Sequence, residues 1–228
     1  LDEKRTINVY LPPGYESNDS IDYSVIYLLD GSAHEDFVHT VGLLQFFSLQ
    51  FKLKPIILVG IANIDRKRDF TFATTDTVLT NMFPTTGGSE KFIQFLKKEL
   101  QPTIEKRYKT NDEKFLIGQS LGGLLATEIL LKHSTLFTSY IIVSPSLWWD
   151  NESLLKKAPE LIQKATNVEV IVSVGSEGRI MVSEAKKIYR ITKKASQVKS
   201  HFNYLKKENH ATVLHSSLYE SFKILFGQ

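Results

Sequence analysis

The sequence predicts an α/β protein with a mostly parallel central sheet and helices on both faces. Short β-rich runs alternate with longer segments of helical periodicity, which is the pattern of a parallel sheet. Several runs, such as VIYLL and IILVGIA, are continuously apolar, as expected of strands buried on both faces. No internal repeat or Pro/Gly/Ser-rich linker interrupts the 228 residues, so we expect a single domain over residues 1–228.

The predicted elements alternate along the chain. The strands are expected at 5–11, 24–29, 56–62, 115–118, 140–144, 169–174 and 201–206. The helices are expected at 37–51, 89–108, 121–133, 152–165, 181–196 and 211–226. Pro102 falls inside the second helical segment and predicts a kink or a split there, because proline lacks the N–H and clashes with the preceding turn. The LPPGY run after the first strand predicts a turn.

Composition excludes several function classes. The chain has no cysteine, which rules out disulfides, thiolate metal sites and a cysteine nucleophile. The formal net charge is +3, and the lysines are interspersed with acids, which favours solvated helix faces over a nucleic-acid surface. No apolar run is long enough for a membrane span. The first residue is leucine rather than methionine, so a missing leader says nothing about the compartment.

Polar side chains cluster just after the predicted strands, where ligands of open α/β sheets bind. The segments to inspect are Asp30-Gly31-Ser32, 63–69, Ser120, SPSLWWDN from Ser144, GSEGR from Gly175 and ENHA from Glu208. These segments contain a serine, several acids and a histidine, which are the components of nucleophilic acyl-transfer chemistry.

The run GQSLGG predicts a nucleophile elbow at Ser120, since a strand precedes it and a helix follows at once. Gly118 and Gly122 remove side chains that would clash across so tight a turn. The N–H of Leu121, at the helix start, is a candidate donor to a developing oxyanion. The alternative is a serine that only packs in the turn.

His210 is the predicted general base among the six histidines, because it follows the last strand and precedes the last helix. His215 is the alternative, one turn inside that helix. The predicted acid is Glu177, the carboxylate nearest the end of the penultimate strand. Asp150 and Glu208 remain alternatives, as does a histidine held by a backbone carbonyl.

The second oxyanion donor is expected after strand 24–29, from the N–H of Ser32 or Gly31. Gly31 allows a sharp turn there. Asp30 is expected to hold the loop in place rather than to take part in the chemistry.

These segments together resemble the esterase D-like branch of the α/β-hydrolases, which includes siderophore trilactone esterases and feruloyl esterases. The similarity rests on INVYLPPGY, VIYLLDG, GQSLGGLLATEILL, SPSLWWDN and ENHATVLHSSLYESF. It implies an α/β-hydrolase fold, with one further strand before the segment that starts at Thr6. Members of this branch are often exported from bacteria, which implies a periplasmic or extracellular location.

The resemblance implies that Ser120 is the nucleophile, His210 the base and Glu177 the acid, with Leu121 and the Gly31–Ser32 region as oxyanion donors. The expected reaction is hydrolysis of a small-molecule carboxylic ester through an acyl-enzyme, without a cofactor or metal. An acyltransferase of the same family and a non-catalytic binding module are the alternatives.

The segment NIDRKRDFT is similar to one that contributes arginine to the substrate cleft of siderophore esterases. Arg66 or Arg68 is therefore expected to meet an anionic substrate, such as an iron–catecholate complex. The alternative is that Arg68 pairs with Asp69 or Asp65 and fixes the loop. Phe72 departs from the family, which commonly has proline there.

The polar region 71–88 is expected to form a lid or a cleft wall. Trp148 and Trp149 are candidates to stack an aromatic acyl group or a sugar. Two adjacent side chains rarely bury in the same way, so we expect one to pack and one to face the cleft.

Overall fold

A computed structural model describes residues 3–15, 21–51 and 53–227. Within these residues, seven strands form one sheet in the order β1-β3-β2-β4-β5-β6-β7. The strands are β1 Ile7–Tyr10, β2 Tyr23–Leu28, β3 Ile56–Ile61, β4 Thr110–Gln119, β5 Ser139–Val143, β6 Val168–Gly175 and β7 Val198–Leu205.

The sheet is parallel except at one edge. β1 runs antiparallel to β3, and each of the other neighbouring pairs is parallel. The predicted mostly parallel sheet is therefore confirmed. Because parallel strands end on one side, the loops after β2, β3, β4, β5, β6 and β7 meet along the same edge.

Helices cover both faces of this sheet. They are α1 Phe37–Phe51, α2 Arg66–Phe70, α3 Thr77–Met82, α4 Ser89–Phe95, α5 Gln101–Arg107, α6 Leu121–Lys132, α7 Trp149–Leu161, α8 Arg179–Lys194 and α9 Val213–Phe226. Strand side chains alternate between two buried clusters: Tyr27 belongs to the one containing α6, and Leu28 to the one containing α1 and α9. This alternation is the period of two along a strand.

α6 is the most deeply buried helix element near the site, with every residue from Leu121 to Leu131 buried. Most of these residues are apolar, as expected of a helix with no solvent face, and the buried Glu128 pairs with Lys132 Nζ at 2.6 Å.

Several boundaries differ from the sequence prediction. β4 begins at Thr110, because the polar stretch that precedes Phe115 still pairs with β2. α2 and α3 were not predicted, because each is only one or two turns long. Each is capped by an aspartate side chain, Asp65 and Asp76 respectively, that accepts from backbone N–H groups.

The segment around Pro102 stays helical but changes its winding. A π-helical turn at Leu96–Leu100 separates α4 from α5, and Pro102 lies in the first turn of α5. The predicted interruption therefore takes the form of a wide turn, in a position where the missing N–H of proline costs little. The predicted turn after the first strand is present, with Tyr15 N–H donating to Pro12 O at 3.0 Å.

In the part of the chain that the structure describes, no helix combines the length and the apolar character that crossing a bilayer requires.

Candidate active site

Ser120 occupies a strained turn between β4 and α6. Its φ is 60° and its ψ is −119°, a combination that non-glycine residues rarely adopt. Its N–H donates to Val143 O at 3.0 Å, and its carbonyl accepts from the N–H groups of Leu124 at 2.9 Å and Ser146 at 3.0 Å. The surrounding backbone thus holds the serine in this conformation.

Two glycines make this turn possible. A Cβ at Gly118 would collide with the carbonyl oxygen of Gly122. A Cβ at Gly123 would lie 2.9 Å from Pro145 Cα and from Val143 O. Side chains at either position would push α6 away from the strands and move Ser120.

The start of α6 supplies positive potential at the serine. Leu121 is the first residue of the helix, and the N–H groups of a first turn have no acceptor within the helix. The helix dipole adds partial positive charge at the same place. The N–H of Leu121 is therefore suitably placed to stabilise an oxyanion on a substrate at Ser120.

Glu177 and His210 form a close pair after β6 and β7. His210 Nδ1 lies 2.6 Å from Glu177 Oε2. The Glu177 side chain is 2% exposed, whereas that of His210 is 48% exposed. A buried carboxylate on Nδ1 leaves Nε2 as the imidazole nitrogen that can face a substrate.

The carboxylate of Glu177 has further donors. Its Oε1 accepts from Ser144 Oγ at 2.5 Å and from Gly175 N–H at 2.9 Å. Burial raises the pKa of Glu177, but the hydrogen bonds from His210, Ser144 and the Gly175 N–H outweigh it and hold the pKa below its ordinary value. Glu177 is therefore ionised at neutral pH and can stabilise a protonated imidazole.

The loop that carries His210 is fastened to the loop that carries Glu177. Ser176 N–H donates to Glu208 O at 2.7 Å, and Ser176 Oγ donates to Lys206 O at 2.8 Å. A Cβ at Gly175 would lie 2.7 Å from Glu208 O, so glycine is needed for the two loops to approach this closely.

Ser120, Glu177 and His210 line one open cavity of about 560 Å³. Its other lining residues are Ser146, Trp148, Met181, Asn209 and Ala211. Ser120 Oγ lies 3.4 Å from Ser146 Oγ. A larger cavity of about 800 Å³ lies at the opposite, amino ends of the strands, where Ser24, Glu113 and Glu169 are among its lining residues. It contains neither Ser120 nor His210, so we do not regard it as the reaction site.

The residues predicted as alternative acids, and the alternative histidine, form their hydrogen bonds with other partners. Asp150 accepts from Thr74 Oγ1 at 2.6 Å, and Glu208 accepts from Ser216 Oγ at 2.8 Å. His215 Nδ1 lies 3.3 Å from His39 Nδ1. Burial and the neighbouring His39 both lower the pKa of His215.

The loop after β2 corrects one expectation about the oxyanion donors. Gly31 N–H already donates to Ile61 O at 3.0 Å, so it is not free for a substrate. A glycine is needed at position 31 for another reason, since a Cβ there would lie 2.5 Å from Ile61 N. The N–H of Ser32 has only a long contact of 3.4 Å to Glu35 Oε2 and remains the candidate donor.

Asp30 holds this loop to the serine turn through Arg66. Asp30 has a positive φ of 54°. Arg66 donates from Nε to Asp30 Oδ1 at 2.6 Å, from Nη2 to Asp30 Oδ2 at 2.8 Å and from Nη2 to Gln119 O at 3.3 Å. This bidentate pair connects the residue before Gly31 with the residue before Ser120.

Arg68 is also paired. Its Nε donates to Asp69 Oδ1 at 2.7 Å, and its Nη2 donates to Glu3 Oε1 at 2.8 Å. Arg66 and Arg68, the arginines predicted to meet an anionic substrate, are thus both paired with acids of the same chain. For Arg68, this is the alternative of a pair with Asp69 that fixes the loop.

The two tryptophans separate, one packed in the interior and one on the wall of the cleft. Trp149 is 0% exposed, and its Nε1 donates to Phe72 O at 3.0 Å. Trp149 therefore packs under the cleft wall and offers no face to a substrate, contrary to its prediction as a stacking residue. Trp148 is half-buried and lines the cavity with Ser120.

The region 71–88 is fastened to the turn after Trp149. Thr74 Oγ1 donates to Asp150, and Asn151 Nδ2 donates to Asp76 Oδ2 at 3.4 Å. Asp150, Asn151 and Glu152 have left-handed φ values of 49°, 52° and 60°. Val78 and Met82 of α3 are 63% and 61% exposed on this wall. These bonds favour a cleft wall over a freely hinged lid.

Sequence reasoning did not assign roles to three residues at this site: Gln119, Ser144 and Ser146. Gln119 Nε2 donates to His210 O at 2.5 Å, and Ser144 donates to Glu177. The two serines follow β5, the strand next to β4, and their proximity to the elbow was the available signal. Nothing in the local sequence around Gln119 indicates a partner 91 residues away.

Comparison with known proteins places this chain among esterases. A protein-family model described as "Putative esterase" matches residues 1–222. The ferri-bacillibactin esterase BesA of Bacillus subtilis (strain 168) is 30% identical over 174 residues, which make up 70% of this chain and 60% of that protein. The chain thus spans less than two thirds of the length of that curated relative.

Two solved structures are similar over nearly the whole chain. An IroE-like serine hydrolase from Shewanella oneidensis has a TM-score of 0.87 at 28% identity, covering 97% of this chain and 75% of that one. The BES protein from Bacillus cereus has a TM-score of 0.83 at 31% identity, covering 96% and 88% respectively. These likenesses confirm the predicted α/β-hydrolase fold and the resemblance to siderophore-esterase relatives.

We predict that Glu177→Gln destabilises the protein in a pH-dependent way. Because folding lowers the pKa of Glu177, the carboxylate contributes stability above its unfolded pKa of about 4.3, and this contribution is lost as the pH falls through the lower folded value. Thermal unfolding should therefore show a parent–variant difference in Tm that is largest above about pH 5 and shrinks towards about pH 3. Glu160→Gln, at an exposed acid of α7, is the control. A Glu177→Gln difference that does not shrink would contradict the prediction.

Proposed function

Because the chain belongs to the esterase family, we propose that it is a serine carboxylic-ester hydrolase that acts through an acyl-enzyme intermediate. The observation that carries this proposal is the strained Ser120 in one cavity with the hydrogen-bonded pair of His210 and Glu177. A strained elbow displays a nucleophile, and a histidine oriented by a buried carboxylate can activate it.

In the first step, Ser120 Oγ attacks the ester carbonyl while His210 Nε2 takes its proton. Glu177 keeps the Nδ1 proton in place and stabilises the imidazolium that forms. Ser120 Oγ contacts Ser146 in the free protein, so it must turn towards His210 when substrate binds. Catalytic hydrogen bonds commonly tighten only in the substrate complex.

The negative charge that develops on the carbonyl oxygen lies at the start of α6. The N–H groups of Leu121 and Ser32 are its proposed donors, one from each side. Donors fixed in the backbone stabilise this charge without reorganising during the reaction.

Collapse of the tetrahedral intermediate breaks the ester bond. The protonated His210 gives its proton to the leaving alcohol, and the acyl group stays on Ser120. Water then attacks this acyl-enzyme, with His210 as base, and releases the carboxylic acid and free Ser120.

The proposed substrates are siderophore-type or aryl and sugar esters. The similarity to a protein named ferri-bacillibactin esterase supports the first of these. Trp148, half-buried on the cavity wall, supports an aromatic acyl group that stacks on the indole.

Ser120→Ala is expected to abolish ester hydrolysis, since it removes the attacking oxygen; losses for such changes are about 10⁴-fold or more in kcat. Hydrolysis of p-nitrophenyl acetate and covalent labelling by a fluorophosphonate probe measure this. Ser48→Ala on α1, outside the cavity, is the matched control and should keep both activities. Unchanged hydrolysis by Ser120→Ala would reject the proposed nucleophile, and an unlabelled folded parent would favour a non-catalytic binding module.

His210→Ala should lower kcat by about 10³-fold or more, because Ser120 loses its general base. His215→Ala is the matched control, since His215 faces His39 and not Glu177, and its kcat should stay within about twofold of the parent. The opposite pattern in kcat would reverse the histidine assignment.

Trp148→Ala should reduce kcat/KM for feruloyl and catecholate esters by about three- to tenfold, the value of one aromatic contact. Its kcat/KM for p-nitrophenyl acetate should change much less. Trp148→Phe keeps a ring and should keep most of the preference. Equal losses on aryl and acetyl esters would reject stacking by Trp148.

Product analysis with added alcohols separates hydrolysis from acyl transfer.

A further inference from the structure

The end of β4 carries a second polar residue beside the nucleophile. Gln119 lies between Gly118 and Ser120 and pairs with Val143 in β5. Its side-chain Nε2 donates to the main-chain carbonyl of His210 at 2.5 Å. Gln119, which forms a hydrogen bond with the histidine loop, is thus directly adjacent to Ser120 in the chain.

His210 therefore has two hydrogen bonds from two different parts of the sheet edge. Glu177, after β6, contacts its ring, and Gln119, at the end of β4, contacts its main chain. The ring bond sets the orientation of the imidazole. The main-chain bond sets where its Cα lies relative to the elbow.

Packing does little to hold the histidine loop. Lys206, Lys207 and residues 209–212 are exposed, so few apolar contacts restrain them. Exposed loops of this kind move readily unless hydrogen bonds order them. The bonds from Ser176 fasten the loop to β6, and the bond from Gln119 fastens it to the elbow.

The Gln119 bond also links the histidine loop to the strand that carries Ser120 in the free protein. Ser120 Oγ is directed to Ser146 Oγ, 3.4 Å away, and so does not itself hold His210. The main chain of Gln119 is in turn held by Arg66, whose Nη2 lies 3.3 Å from Gln119 O and whose other bonds go to Asp30. Gln119 is therefore connected to the histidine loop on one side and to the loop after β2 on the other.

We propose that Gln119 is a positioning residue that holds His210 within reach of Ser120 through the amide bond to the His210 carbonyl. This inference rests on the proposed serine-hydrolase function. It requires a donor at position 119, because a main-chain carbonyl can only accept. Misplacement of a reacting group by about 1 Å can cost about 10²-fold in rate.

Two substitutions separate the donor from the shape of the side chain. Gln119→Met keeps a long side chain without a donor. Gln119→His has a ring N–H about as many bonds from Cα as the glutamine amide, so it can reach the same carbonyl. Gln94→Met is the matched control, because Gln94 is a half-buried glutamine of α4 whose amide bonds Glu90.

The test measures kcat and KM for p-nitrophenyl acetate, Tm, and hydrogen exchange of the 205–213 segment in the parent and all three variants. Gln119→Met should lower kcat by about 10- to 100-fold with KM nearly unchanged, and should speed exchange in 205–213. Gln119→His should recover kcat to within about threefold of the parent, and Gln94→Met should match the parent.

Several outcomes would overturn the positioning role. These are an unchanged kcat or unchanged exchange in Gln119→Met, equal losses in Gln119→Met and Gln119→His, and a loss that follows Tm alone. A parent that neither hydrolyses esters nor labels would instead reject the proposed function, and the positioning role with it. An active parent with an unaffected Gln119→Met rejects only the positioning role.

Discussion

The steric requirement of the turn between β4 and α6 governs the structure at the carboxyl ends of the parallel strands. β4 passes into α6 through Ser120 at positive φ, and the turn is so tight that Gly118 and Gly123 cannot bear side chains. A strained residue of this kind costs about 1–3 kcal/mol. The parallel ladder of β4 with its neighbours and the burial of α6 from Leu121 to Leu131 offset that cost. The same turn points Ser120 out of the sheet and aims the helix start at it, so strain and electrostatics arise from one backbone feature.

Hydrogen bonds between loops, rather than packing, assemble the rest of the site. Glu177 is almost completely buried, and a buried carboxylate is tolerated only when donors satisfy it. His210, Ser144 and the Gly175 N–H supply those donors. The bonds that stabilise the charge of Glu177 also fix its position against His210, so in the proposed function the same contacts serve both stability and catalysis.

Local sequence patterns predicted the parts of the site that depend on chain order. Ser120, Glu177 and His210 were predicted to lie together because strand ends share one edge and the elbow has a recognisable spacing, and they line one cavity. The pairings of Arg66 with Asp30 and of Gln119 with His210 were not found, because they join residues 36 and 91 positions apart. The choice between Gly31 and Ser32 also needed the structure, since it depends on an N–H that bonds a neighbouring strand. α2 and α3 escaped prediction because periodicity is not measurable over five or six residues.

The ion pairs of Arg66 and Arg68 limit how this cleft can select a substrate. Arg66 forms a bidentate pair with Asp30, in which the Arg66 side chain is 33% exposed and that of Asp30 is 10% exposed. An anionic substrate that took Arg66 from Asp30 would also release the loop that carries Ser32, and so weaken the proposed oxyanion site. In the proposed function, Arg66 keeps that loop in place. Substrate selection would then rest on contacts that do not disturb the loop, namely the indole of Trp148 and the wall formed by α3.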